Sequence, residues 1–99
     1  MRIGVNVPNF GPGAGPESLV SWAGTVERLG LDLLMVSDHV VITPDVRAKY
    51  PAPFFEPFTT LSFLAATTSR VRLGTTVLIA PYRHPLLVAR MAACIDQIS

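Results

Sequence analysis

A single cysteine, Cys94, stands in the 99 residues, so no internal disulfide supports the chain and packing and hydrogen bonding must do so. Charge is also scarce. Only 15% of residues are charged, the net charge is +1, and Lys and Arg are scattered, which removes the electrostatic footprint of a nucleic-acid or anionic-membrane partner. No apolar run approaches the roughly 18 to 20 residues of a membrane-spanning helix. The opening Met1-Arg2-Ile3-Gly4 does not resemble a signal peptide, and a cytosolic location is expected. His39, His84 and Cys94 lie far apart, whereas a metal centre needs at least three convergent ligands, so no metal site is expected. Against these shortages stands a hydrophobic content of 49%, enough apolar surface for a globular core.

Ile3 to Val7 reads as a short strand that ends near Pro8 and leads into the Gly/Pro-rich stretch Gly11 to Pro16. Pro16 suits the first position of a helix and Glu17 its first turn. Leu19, Trp22, Ala23, Val26 and Leu29 then recur at helical spacing, and Gly30 closes the helix. Leu33 to Val36 is apolar at successive positions, as in a strand covered on both faces. Ser37-Asp38-His39 follows, and then a stretch to about Pro53 whose prolines Pro44, Pro51 and Pro53 predict an irregular loop. Pro57 opens a second helix carrying Phe58, Leu61, Leu64 and Ala65, which dissolves near Thr68 and Ser69. Val71 to Ile79, rich in β-branched residues, predicts a third strand. After Pro81 and Tyr82, His84-Pro85 starts a third helix with the stripe Leu86, Ala89, Met91, Ala92, Ile95 and Ile98.

This alternation predicts an α/β fold with parallel strands and right-handed crossovers, either a segment of a (β/α)8 barrel or half of a doubly wound sheet. A complete barrel takes about 250 residues, so the chain is expected to stop before one closes. Both architectures place function at the carboxyl ends of strands, which selects Asn6 and Asn9, Ser37 to His39, and Thr75 to Arg83. Gly11-x-Gly13 sits where a dinucleotide fingerprint would. However, its third glycine position is Pro16 and Pro12 removes another N–H, so an NAD-binding half-domain is the weaker alternative. Asp38-His39 at a strand end is either a local hydrogen-bonding pair or a catalytic pair. Gly74-Thr75-Thr76-Val77 reads equally as a bulge facing a ligand or as a core strand with a small residue under a helix. Arg83 and His84 precede a helix that His84 is expected to cap, and Cys94 is read as packing.

Several segments together resemble the amino-terminal part of the luciferase-like family: Ser37-Asp38-His39, Glu56-Pro57-Phe58, Thr68 through Val77, Pro81-Tyr82-Arg83-His84-Pro85, and Ile95 to Ser99. The resemblance covers nearly all of residues 1–99, taken as one unit of a single barrel domain. It implies the first three βα units of a (β/α)8 barrel that binds the deazaflavin F420 or FMN at the carboxyl ends of its strands. It further implies hydride transfer or monooxygenation of a small organic substrate. By this resemblance Asp38 is a candidate cofactor contact and His39 a candidate proton donor or acceptor. Thr76-Val77 would be a non-prolyl cis peptide backing the ring. The Ser37-Asp38-His39 and Thr76-Val77 pattern leans towards F420. Phosphate contacts normally come from later strands, so these residues alone are expected to be inactive. Free sheet edges and a poorly covered sheet face predict self-association. A non-catalytic flavin-binding or assembly module is the second alternative.

Overall fold

Every α-helix starts on a proline, whose missing N–H would have had no intrahelical partner at that position and whose fixed φ suits the first turn. The structure, a computed structural model, describes residues 1–99. It runs β1 (Gly4–Asn6), α1 (Pro16–Arg28), β2 (Leu33–Val36), α2 (Pro44–Lys49), α3 (Pro57–Ala65), β3 (Arg72–Thr75), a 3-10 turn (Ala80–Tyr82) and α4 (Pro85–Ile98). The strands form one parallel sheet in the order β1-β2-β3, with Val5 opposite Leu34 and Leu34 opposite Leu73. The fold is α/β, as the alternation predicts.

Alternate strand residues face opposite sides of the sheet, and the two sides differ sharply here. Val7, Leu34 and Val36 are buried against Leu19, Ala23 and Val26 of α1 and Leu61 and Leu64 of α3. On the other side Gly4, Asn6 and Arg72 are exposed and Leu33 and Met35 only half-buried. The expectation that β2 is covered on both faces therefore does not hold, because all the packing helices cover one face. Gly4 is required on the open face: a Cβ there would meet the Leu33 Cβ at 2.7 Å.

Helix α1 ends where the glycine places it. Gly30 takes φ +71, its N–H donates to the Glu27 carbonyl at 3.1 Å, and the Leu31 N–H donates to the Val26 carbonyl at 3.2 Å, a Schellman closure. Trp22 and Leu29, expected in the buried stripe, lie on its exposed flank. Helix α3 ends at Ala65, before the expected Thr68, whose hydroxyl donates back to the Leu64 carbonyl at 2.9 Å. The stretch expected to be wholly irregular contains α2, with Asp45 in its first turn and no buried residue.

Two corrections concern the end of the chain. Paired β3 covers only Arg72–Thr75 of the expected Val71 to Ile79, with one further ladder bond from the Thr76 N–H to the Val36 carbonyl at 2.9 Å. Its partner β2 ends at Val36, so the β-branched residues beyond have no backbone to pair with. Helix α4 buries none of its residues, and Leu86 and Ile98 of the expected stripe are exposed. Its inner side, with Val88 and Ile95, lines a cleft of about 800 Å³ together with Leu73, Thr75 and Leu78, and Ile95 packs against the edge of the core.

Glu27 locks α1 to the turn before β3. Its Oε1 accepts the N–H groups of Ser69, Arg70 and Val71 at 2.9, 2.8 and 3.0 Å. These backbone donors, Val71 foremost, hold its carboxyl below the usual glutamate range. Glu27→Ala is expected to lower unfolding free energy by about 2 kcal/mol, since hydrogen bonds to a charged group are worth about 1.5 to 3 kcal/mol each and this site is partly wet. The folded-state value is depressed, so the contribution is present above the unfolded value of about 4.3 and is lost as pH falls through the folded one. Urea denaturation of wild type and variant between pH 7 and pH 3 checks it: the gap between them should close on acidification.

Candidate active site

The carboxyl ends of the three strands are drawn together by polar side chains rather than by packing. Asn9, in the turn after β1, is 0% exposed. Its Oδ1 accepts the Ser37 N–H at 3.0 Å, and its Nδ2 donates to the carbonyls of Ser37 at 2.9 Å and Phe55 at 2.7 Å. Its own carbonyl accepts the Phe55 N–H at 2.8 Å. Asn9 thus joins the ends of β1 and β2 to the approach to α3, a clamp rather than a ligand contact. Asn6 lies on the open face, where its Nδ2 donates to the Ser37 Oγ at 3.1 Å.

Asp38, immediately beyond β2 and Ser37, is buried at the centre of an ion cluster. Its side chain is 0% exposed and that of Arg83 is 7% exposed. Arg83 Nη1 donates to Asp38 Oδ2 at 2.7 Å, Nη2 donates to Oδ1 at 2.9 Å, and the Ile79 N–H donates to Oδ2 at 2.9 Å. Arg83 Nη2 also donates to Glu56 Oε1 at 2.6 Å, and the guanidinium carbon lies 5.4 Å from the centre of the Phe58 ring. Glu56 in turn caps α3, its Oε2 accepting the Thr59 N–H at 2.7 Å.

Burial is the largest single influence on Asp38 and pushes its carboxyl up, but the Arg83 and Ile79 hydrogen bonds and the Arg83 charge together hold it below the usual range. Glu56 is lowered in the same way: burial acts first and upward, and the Thr59 N–H and Arg83 outweigh it. Arg83 is held more firmly protonated, chiefly by Asp38. Three donors thus occupy the Asp38 carboxylate, two on Oδ2 and one on Oδ1, and its side chain is 0% exposed.

His39 occupies a different environment. Its ring lies 5.2 Å from the Phe54 ring at 83° and 5.6 Å from the Tyr50 ring at 35°. Phe10 stacks on Phe54 at 5.0 Å and meets Tyr50 edge-on at 5.4 Å, so loops from β1 and β2 form an aromatic wall around the imidazole. Nδ1 of His39 is buried with no hydrogen-bond partner. An unpaired buried nitrogen is costly, and a ligand group offering an N–H or a carbonyl would relieve that cost. Thr76 and Val77, joined by a cis peptide, lie just past β3, with Val77 71% exposed.

The structure therefore brings Asp38 to Ile79 and Arg83, and sets Thr76 beside Val36 through the ladder. His39 Nδ1 and the exposed Val77 are left as groups that the fold does not engage. His84 caps α4, its Nδ1 accepting the Leu86 N–H at 3.3 Å. The glycine loop offers no phosphate cradle from Gly11, whose N–H is shared between the carbonyls of Pro51 at 3.0 Å and Pro53 at 2.8 Å. Sequence reasoning missed the Glu56–Arg83–Asp38 bridge and the Asn9 clamp. The available signal was a set of polar residues at three strand ends in a chain with little charge.

A parallel α/β unit whose strand ends are tied by polar groups belongs to the class of parallel α/β proteins, in which function collects at the carboxyl ends of the strands. The chain belongs to the luciferase-like monooxygenase family, whose sequence profile matches residues 1–99. It is 38% identical over 81 residues to an N-acetyl-S-(2-succino)cysteine monooxygenase of Bacillus subtilis, covering 78% of this chain and 17% of that protein. Identity is 39% over 83 residues to an F420-dependent glucose-6-phosphate dehydrogenase of Kribbella flavida, covering 80% and 23%. It is 46% over 83 residues to the oxygenase component of a flavin-dependent trigonelline monooxygenase of Acinetobacter baylyi, covering 84% and 21%. The crystal structure of the monooxygenase RslO1 from Streptomyces bottropensis superposes with a TM-score of 0.75 at 29% identity, over 100% of this chain and 30% of that one. The chain thus spans about a fifth of the length of the curated relatives it matches.

Proposed function

We propose that residues 1–99 form the first three βα units of a (β/α)8 barrel oxidoreductase that acts on a small organic substrate with F420, or alternatively FMN, as cofactor. The observation that carries this reading is His39: an imidazole at the carboxyl end of β2, walled by aromatic rings, with a buried Nδ1 that nothing in the fold satisfies. Such a site fits a planar ring whose edge carries N–H and carbonyl groups. His39 and the exposed Thr76-Val77 backbone would hold that ring. Bound there, a deazaflavin supplies hydride transfer and a flavin supplies hydride transfer or oxygen activation.

The protein's own part is to orient and to move a proton. His39 exchanges a proton with substrate or product. Tyr50 and Phe54 pack against its ring, and Phe10 packs against both of them. Asp38 contributes by fixing the polypeptide on either side of the site, since its carboxylate is already engaged by Arg83 and Ile79. F420 is the first cofactor to test, because Ser37-Asp38-His39 is the pattern that resembles deazaflavin users, and the Kribbella flavida relative is F420-dependent.

Titration with F420 and separately with FMN, followed by cofactor fluorescence, tests the proposal on residues 1–99 and on the chain at its full natural length. Selective binding by the full-length chain is expected. Binding of neither cofactor by either form would remove the proposal. His39→Gln is expected to weaken cofactor binding about tenfold, because the ring loses its imidazole partner, and to lower turnover about a hundredfold, the lower end of what a positioned acid or base contributes. A second reading, an assembly module that completes a barrel with another chain, is favoured by the free outer edges of β1 and β3 and the uncovered sheet face. Self-association without cofactor binding would select it.

A further inference from the structure

The segment between β3 and α4 is held by charge and hydrogen bonds more than by packing. Thr76, Val77, Ala80, Pro81 and Tyr82 are exposed, and none of its residues belongs to the buried core. Its start is tied by the Thr76 N–H to Val36, its middle by the Ile79 N–H to Asp38, and its end by the Arg83 side chain. That guanidinium reaches Asp38 after β2 and Glu56 at the head of α3, placing one rigid fork between three elements. Asp38 is also the neighbour of His39 in the chain, so the carboxylate that anchors Ile79 and Arg83 sets the backbone from which the imidazole projects.

We infer that Arg83 is a positioning residue: by bridging Asp38 and Glu56 it holds the Thr76-Val77 backbone at a fixed place relative to His39. This rests on the proposal that a flavin or deazaflavin ring lies against those two groups. An arginine is needed because its planar fork meets Asp38 through two nitrogens while Nη2 also meets Glu56, which the single ammonium of a lysine cannot reproduce. Glu56 is itself fixed by the first turn of α3, so Arg83 refers the exposed segment to a helix rooted in the core. Loosening this bridge leaves the Thr76 and Ile79 N–H bonds in place and removes the side-chain tie at the end of the segment, so the stretch up to Arg83 shifts relative to Asp38 and its neighbour His39.

The test uses the chain at its full natural length with Arg83→Lys, Arg83→Met and Glu56→Gln, beside wild type. Dissociation constants for F420 and FMN are measured by fluorescence well below each variant's melting temperature. Melting temperatures are measured without cofactor, and kcat and KM are determined separately. Arg83→Lys should keep most of the thermal stability yet weaken cofactor binding about tenfold and lower kcat about tenfold or more with little change in substrate KM, as displacements of about 1 Å at a reacting ring do. Glu56→Gln, which still caps α3, should shift the same quantities in the same direction by less. Should Arg83→Met fail to fold, these two milder variants still decide the matter. Wild-type cofactor affinity and kcat in Arg83→Lys, with only the melting temperature lowered, would overturn the inference and leave Arg83 a structural residue. If wild type binds neither cofactor, the functional proposal itself fails and the inference falls with it.

Discussion

Asn9→Ala is expected to lower the unfolding free energy by about 3 kcal/mol, because it strands three half-buried backbone groups at once and each unsatisfied group costs at least about 1 kcal/mol. Those groups are the N–H and carbonyl of Ser37 and the carbonyl of Phe55, all held by a side chain that is 0% exposed. A domain stable by about 5 to 15 kcal/mol loses a large share of its margin in this way. Asn9→Asp separates shape from hydrogen bonding. The carboxylate still accepts the Ser37 N–H but turns an oxygen towards two carbonyls to which Asn9 donated. Its loss at neutral pH should equal or exceed that of alanine. Urea midpoints of the three proteins decide: an aspartate variant as stable as wild type would mean that Asn9 fills space and does not clamp.

Asp38→Ala carries the second large effect, a loss of about 3 to 5 kcal/mol, as expected when one member of a buried ion pair is removed. Arg83, only 7% exposed, keeps Glu56 alone, and the Ile79 N–H loses its acceptor. Wild-type stability should respond to acid through the same group. The folded carboxyl lies below its ordinary value, so its contribution is complete above the unfolded value of about 3.9 and is lost as pH falls through the folded value. As pH falls below the unfolded value the wild type should therefore approach Asp38→Ala, with denaturation curves at several pH values as the check. Asp38→Asn keeps the shape without the charge and should fall between the two at neutral pH. An alanine variant within 1 kcal/mol of wild type, roughly the worth of an exposed pair, would show that the cluster is solvent-screened.

The order of elements was legible because its signals are short-range. Pro16, Pro57 and Pro85 mark helix starts through their own φ and missing N–H, and Gly30 marks an end through the left-handed conformation it alone adopts cheaply. Leu33 to Val36 declared a strand by composition. Periodicity was a weaker guide to burial. Trp22, Leu29, Leu86 and Ile98 fit helical stripes yet are exposed, because a repeat shows which residues share a face and not whether anything covers it.

The strand-end position of Asp38, His39 and Thr76-Val77 could be read from the chain, since parallel α/β folds collect function there. The division of labour among them could not. Asp38 meets Arg83 across 45 positions of sequence and Asn9 meets Phe55 across 46, separations over which no local preference acts. Only the packing of three strand ends against α3 decided that the aspartate is spent on an arginine while the neighbouring imidazole keeps a buried nitrogen free. Backbone conformation follows from nearest neighbours; the pairing of charges follows from which distant groups share a region that water does not reach.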